Sequence, residues 1–163
     1  ALRMIAGCDK FEHLRTLHLN YNSPYHLEGA EYTEAVTDAG LRALADSPHL
    51  RNLRVLSISG TRITASGIEA ILNSPHFRLT GLSVANCQLR SAAMDVIAAS
   101  PRTARLEVLD LSGNDEFGSG ELRALAESEY LSPMTELDVR GTSAGDTSVY
   151  DALRERVGCR LGV

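Results

Sequence analysis

The chain has 163 residues, of which 44% are hydrophobic and 23% charged. That balance fits one folded domain and excludes a disordered or collagen-like chain. A net charge of -5 repels polyanions and argues against nucleic acid as a partner. The three cysteines, Cys8, Cys87 and Cys159, are odd in number and far apart, which favours reduced thiols over a disulfide framework. No apolar run reaches membrane-spanning length, and the opening ALRMIAGCDKFEH lacks the blocks of a signal peptide. The expectation is a cytoplasmic protein with no membrane partner.

Along the chain, residues 2–14 (LRMIAGCDKFEHL) align without a gap on residues 41–53 (LRALADSPHLRNL). Residues 1–13 are therefore expected to be the remnant of a preceding repeat, and the chain a fragment of a longer protein. Two apolar residues three apart, with a third two further on, then recur as LRTLHL from Leu14, LRVLSI from Leu53, LTGLSV from Leu79, LEVLDL from Leu106 and MTELDV from Met134. Each is followed by a helical spacing of apolar residues, in VTDAGLRALADSP, ITASGIEAILNSP, LRSAAMDVIAASP and FGSGELRALAES, so the period switches from 2 to 3.6 within every unit. Ser66 with Glu69 and Ser148 with Asp151 have capping-box spacing. Pro48, Pro75 and Pro101 follow helices that they cannot continue. Residues 148–163 place Val149, Leu153 and Val157 on one stripe and are expected to form a capping helix and tail without a further repeat.

Strands joined through helices run parallel with right-handed crossovers, and one unit cannot bury its leucines alone. Three residues past each third apolar position stand Asn22, Thr61, Cys87, Asn114 and Thr142. LRVLSISGTRITASGIEAILNSP and LRTLHLNYN resemble the leucine-rich repeat, whose consensus is LxxLxLxxN/CxL. The period of 26 to 28 residues, the VTDAGLRALA segment and Cys87 at the asparagine position resemble the ribonuclease-inhibitor-like and cysteine-containing types. The VTDAGLRALA type of repeat and the arginine bias are similar to bacterial members. The resemblance implies an open α/β solenoid: a parallel β-sheet on the concave face, short α-helices on the convex face, and a single domain over residues 1–163.

Two motifs imitate enzymes. Gly141-Thr142-Ser143-Ala144-Gly145 has the GxSxG form of a nucleophile elbow, but all five histidines precede Ser143, whereas that chemistry needs the histidine after it. Gly118-Ser119-Gly120 follows a strand and opens a helix, yet Arg123 stands where a dinucleotide loop has its third glycine, and Asp115 and Glu116 repel phosphate. His13 and His18 lie five apart and no cysteine pair has finger spacing. No catalytic residue, metal or cofactor is expected. The function left is a non-catalytic module that binds a protein or peptide. The alternative is the sensor region of a longer enzyme or signalling protein, partnered with the upstream part of its own parent.

By the two-residue alternation of strands, His18, Ser57, Ser83, Asp110 and Asp138 line the concave face, followed by Asn20, Ser59, Ala85, Ser112 and Arg140. The interval from Leu14 to Leu53 exceeds the next by about thirteen residues, an insertion carrying Tyr25, His26 and Tyr32. Aromatic side chains are the usual anchors of interfaces, so His18, Asn20, Tyr21, Tyr25, His26 and Tyr32 form the expected partner-binding edge, with Asp110 and Asp138 orienting a basic segment. Charge is also uneven: residues 1–105 hold 11 basic and 9 acidic side chains, and residues 106–163 hold 5 and 12.

Overall fold

The computed structural model describes residues 2–21, 36–158 and 160–163. Strands Thr16–His18 (β1), Val55–Ser57 (β2), Gly81–Ser83 (β3), Val108–Asp110 (β4), Glu136–Asp138 (β5) and Arg160–Gly162 (β6) form one parallel sheet in sequence order. Leu17, Leu56, Leu82, Leu109, Leu137 and Leu161 stand in register across it. Helices Leu2–Ala6 (α1), Asp38–Ala45 (α2), Ala65–Leu72 (α3), Ser91–Ala99 (α4), Ser119–Glu127 (α5) and Ser148–Val157 (α6) form a second layer, each packed on the next. Strands stack about 4.8 Å apart and helices about 8–10 Å apart, so the stack bends with its sheet on the inside. The open α/β solenoid is thus a consequence of unequal layer spacing.

The core lies between the layers. Leu50, Leu53, Leu56 and Ile58 of one coil are fully buried, as are Leu41 and Ile68 of the helix row. Their counterparts in the gap-free alignment, Phe11, Leu14, Leu17 and Leu19, are only half-buried, because among the described residues no coil lies on their outer side. The backbone turns are alike at this point: Leu14 N donates to the Phe11 carbonyl at 2.9 Å and Leu53 N to that of Leu50 at 3.0 Å.

The helix starts differ from the sequence expectation. Thr64, not Ser66, caps α3 by accepting from the Ser66 N–H at 3.2 Å. Thr64 is placed there by the coil before it, since its N–H and hydroxyl both donate to Asp38, at 2.9 and 2.6 Å. At α6 the capping oxygen belongs to Asp146, which accepts from the Ser148 N–H at 2.9 Å. A Glu at the third helical position reaches back only at α5, where Glu121 accepts from the Gly118 N–H at 3.0 Å and from the Ser91 hydroxyl at 2.6 Å. Spacing alone missed the neighbouring coil's contribution. The tail also departs from expectation, because residues 160–162 add β6 to the sheet edge. A strand of three residues with one inward leucine has no room for the LxxLxL signature.

Two side-chain ladders satisfy the buried turns. Asn114 donates to the carbonyls of Leu111 and Val84 at 2.8 and 3.0 Å, and accepts from the N–H groups of Cys87 and Leu89 at 3.1 Å each. Cys87 donates to Ile58 O of the previous coil at 3.3 Å. Thr61 and Thr142 donate to the carbonyl three residues back in their own turns, Ile58 and Val139, and Thr61 Oγ1 also lies 3.7 Å from Cys87 Sγ of the next coil. The second ladder was not anticipated: Ser47, Ser74 and Ser128 donate to the carbonyls of Ala6, Ala45 and Ala98 on the preceding coils. Its sequence signal is a serine two residues past a helix's last alanine or leucine, followed by proline at Ser47 and Ser74 but by Glu129 at Ser128, so the serine and not the proline ties neighbouring coils together.

Cys87 is buried, and desolvation raises its pKa above the ordinary thiol value. The thiolate is the reactive form, so iodoacetamide at neutral pH is expected to leave Cys87 unlabelled in the native protein and to label it once the chain is unfolded. Peptide mapping by mass spectrometry checks this; rapid native labelling contradicts it.

Candidate functional site

On the sheet's open face the side chains before and after each inward leucine stand in rows. The row that sequence reasoning omitted, Thr16, Val55, Gly81, Val108 and Glu136, includes the exposed apolar side chain of Val108. The expected row brings His18, Ser57, Ser83, Asp110 and Asp138 into register. Between and beyond them, Asn20, Ser59, Ser112 and Arg140 complete a polar strip, in which Ser57 and Ser59 are buried, as is the apolar Ala85.

This strip is one hydrogen-bonded chain. Asn20 Oδ1 accepts from the Ser57 hydroxyl at 2.6 Å and from the Ser59 N–H at 3.0 Å. The backbone donor fixes that amide atom as oxygen. Ser59 and Ser83 hydroxyls lie 2.7 Å apart, Ser83 donates to Asp110 Oδ2 at 2.7 Å, and the Ser112 hydroxyl and N–H donate to Oδ1 at 2.6 and 3.0 Å. A carboxylate only accepts, so Ser83 must give its proton to Asp110, and Ser59 must give its own to Ser83. Ser57 has given its proton to Asn20, leaving none for the 3.5 Å approach of Ser57 to Ser59. All four hydroxyl protons are used inside the strip; Ser57 and Ser59 are buried, and the half-buried Ser83 and Ser112 have only lone pairs left to offer the groove.

Asp138 is arranged differently. It is buried, and it accepts from the N–H and Nε of Arg140 at 3.0 Å each as well as from Nη2. The Arg140 side chain holds the Asp138 carboxyl below the usual carboxylate range. Gly162 of β6 lies against the pair, since a Cβ there would stand 2.8 Å from Asp138 Oδ1. Asp138 therefore faces its own Arg140, and Arg140, exposed at the groove, was missed as a member of the site. Its signal is the shared pattern Asp-x-Ser in LDLSG and Asp-x-Arg in LDVRG, where the carboxylate caps the N–H two residues on.

A group whose folded pKa lies below its unfolded value stabilises the fold above the unfolded value and loses that contribution as pH falls. Asp138 ionises near pH 4 when unfolded, so the native protein is expected to lose stability progressively below that pH. An Asp138→Asn variant is expected to be less stable than the parent at pH 7 and closer to it at pH 3. Thermal unfolding at the two pH values measures this; an equal gap at both contradicts it.

At the edge, His18 and Tyr21 are exposed and Asn20 is half-buried. Tyr21 occupies the left-handed region at φ 55°, at the position filled in later coils by Gly60, Asn86, Gly113 and Gly141, with φ 69°, 53°, 66° and 67°. A tyrosine there carries backbone strain on the order of 1 kcal/mol or more. Its ring lies over the Cα of Gly60, where a Cβ would come within 2.5 Å of it. Tyr25, His26 and Tyr32 lie outside the described residues.

The enzyme-like motifs serve the repeat. Ser143 forms a bridge with Gly118, its N–H donating to the Phe117 carbonyl at 2.8 Å, and Gly141 takes the left-handed position of the turn. Among the described residues no group of three or more metal-ligating side chains occurs. No helix among them is long and apolar enough to cross a membrane.

A family profile described as Leucine Rich repeat matches residues 49–72, the segment that runs from the end of one coil through β2 and α3. The in-register leucines and the single parallel sheet repeat the same strand-and-helix unit in the other coils, so the match and the architecture support a leucine-rich repeat reading of the chain. Solenoids of this kind commonly present their curved faces to protein partners. Among solved structures, an internalin from Listeria monocytogenes is similar over 96% of this chain and 49% of its own length, at 17% sequence identity and a TM-score of 0.47. The chain thus spans about half the length of that structure. No curated protein matches the chain.

Proposed function

We propose that the protein is a non-catalytic binding module whose concave strip receives a protein segment rich in hydrogen-bond donors, basic side chains above all. The carrying observation is the proton order of the strip: Ser57, Ser59, Ser83 and Ser112 direct their protons inward towards Asn20 and Asp110. A partner there meets the lone pairs of the half-buried Ser83 and Ser112 and the Asp110 carboxylate, with the buried Ser57 and Ser59 holding the order beneath. Arginine and lysine only donate, so they suit this strip and acidic segments do not. Asp138, engaged by Arg140, supports the face and contributes less to contact than Asp110. His18 and Tyr21 supply contact area at the edge, with Tyr25, His26 and Tyr32 of the insertion as further members. We place the protein in the cytoplasm of a bacterium on its reduced-cysteine pattern and arginine bias, and read residues 1–163 as one domain.

The test is fluorescence anisotropy with a labelled peptide of alternating arginine and glycine. Asp110→Asn is expected to weaken binding about tenfold or more, as for a hydrogen-bonded charge pair of about 1.5–3 kcal/mol, and Tyr21→Ala to weaken it by about 1 kcal/mol or more. Unaltered affinity in Asp110→Asn, at matched thermal stability, overturns the reading.

A further inference from the structure

Beside the polar strip, two residues nearer the start of each strand, runs the row Thr16, Val55, Gly81, Val108 and Glu136. Its middle is apolar. Val55 is half-buried and leans over Gly81, where an added Cβ would stand 3.3 Å from Val55 Cγ2. Val108, on the other side of Gly81, is 38% exposed. A lone exposed valine needs no partner, but this one ends an apolar ledge that spans β2, β3 and β4, roughly 10 Å across at the usual strand spacing.

Carboxylates border the ledge on two sides. Asp110 lies two residues on from Val108 along β4, and Glu136 stands opposite Val108 on β5. Both are half-buried, and neither joins an ion pair among the described residues. Arg140, whose charge both of them feel, is bound by Asp138. Val108 and Asp110 point to the same face of the sheet about 6.5 Å apart, which is also the spacing of alternate side chains in any extended chain. An extended segment therefore sets an aliphatic side chain on the ledge and, two residues away on its same side, a cation on Asp110, whose carboxylate a guanidinium fork matches.

Resting on the reading of the strip as a site for basic segments, we propose that the ledge selects among them: the segment it takes carries an aliphatic residue two positions from an arginine or lysine. The aliphatic side chain covers Val108 and the edge of Val55 while the cation meets Asp110, and Glu136 adds attraction beside it. A free polyamine would reach the carboxylates with no aliphatic branch for the ledge.

The experiment titrates the full chain, by fluorescence anisotropy, with two fluorescein-labelled peptides of equal composition and charge, Arg-Gly-Leu-Gly-Arg-Gly and Arg-Leu-Gly-Gly-Arg-Gly. Only the first sets its leucine on the arginine side of an extended chain. It is expected to bind about threefold tighter or more, the gain from covering part of one aliphatic side chain. Val108→Ser is expected to abolish that preference, and Arg154→Gln, on the outer helix α6, to keep it. Both peptides meet the same protein, so a change in folding moves the two affinities together, and thermal melts check each variant. Equal affinity of the two peptides, with the alternating arginine-glycine peptide still bound, would overturn the ledge and leave the strip standing; no binding by any of the peptides would overturn both. A preference that survives in Val108→Ser, or displacement of the first peptide by spermidine at equal concentration, would also overturn the proposal.

Discussion

Replacing Asn114 by Ala is expected to destabilise the protein by about 3–5 kcal/mol, the range for breaking a buried, fully satisfied polar network. Asn114 is fully buried and joins two coils through one planar amide. Its nitrogen donates to Val84 O and Leu111 O, and its oxygen accepts from the N–H groups of Cys87 and Leu89. Alanine leaves two carbonyls and two amides without these partners in a place that water reaches poorly, and each unsatisfied buried group costs about 1–3 kcal/mol. Asp at this position keeps the acceptor but loses the donors, so it is not expected to rescue. Thr142 bonds only within its own turn, and Thr61 adds to its own-turn bond no more than a 3.7 Å contact with Cys87 Sγ, so Thr→Ala at either is expected to cost much less. Urea unfolding of the three variants gives the comparison; equal losses contradict the ladder's assignment.

The second large effect is expected at Phe117. Its ring is fully buried in the turn between β4 and α5, at the place taken in other coils by Val36, Ile63 and Leu89. Its backbone also joins two coils, since its carbonyl accepts from Ser143. Phe117→Ala removes the ring and leaves a cavity that this backbone tie keeps from closing, at a cost of about 3–5 kcal/mol. Phe117→Leu, which restores the residue type of the neighbouring coil, is expected to recover most of the loss. Denaturant midpoints with unchanged slope would confirm a stability effect, and a loss under about 1 kcal/mol for the alanine variant would contradict it.

The architecture was legible because each coil states the same pattern twice, once with period 2 and once with period 3.6. In LRVLSI and LEVLDL the inward residues are leucine or isoleucine and all are buried, although in the first the outward Ser57 is buried as well. What stayed hidden depended on contacts between coils. Thr64 rather than Ser66 caps α3 because Asp38, 26 residues away, holds it. Ser74 and Ser128 bond carbonyls 29 and 30 residues earlier. The three-residue β6 carries too little pattern to be read from the chain.

For the face itself, the alternation of strand residues placed His18, Ser57, Ser83, Asp110 and Asp138 in one row. It did not reveal that Asp138 is taken up by Arg140, or that Ser57, Ser59 and Ser83 form a chain of directed protons. The small serines read as a featureless surface, whereas their order relative to Asn20 and Asp110 gives that surface a polarity. The clustering of Arg78 with Arg102 and Arg105 was not legible either, because they come from two return loops that only the stacking of coils brings together.

The concave strip is tested most directly by backbone amide NMR of the full chain titrated with the arginine-glycine peptide. Saturable shifts are expected at His18, Asn20, Ser57, Ser59, Ser83 and Asp110, fading with added salt, with the helix row α2 to α5 unperturbed. Shifts confined to those helices, or none along the strip at millimolar peptide, would contradict binding through the sheet.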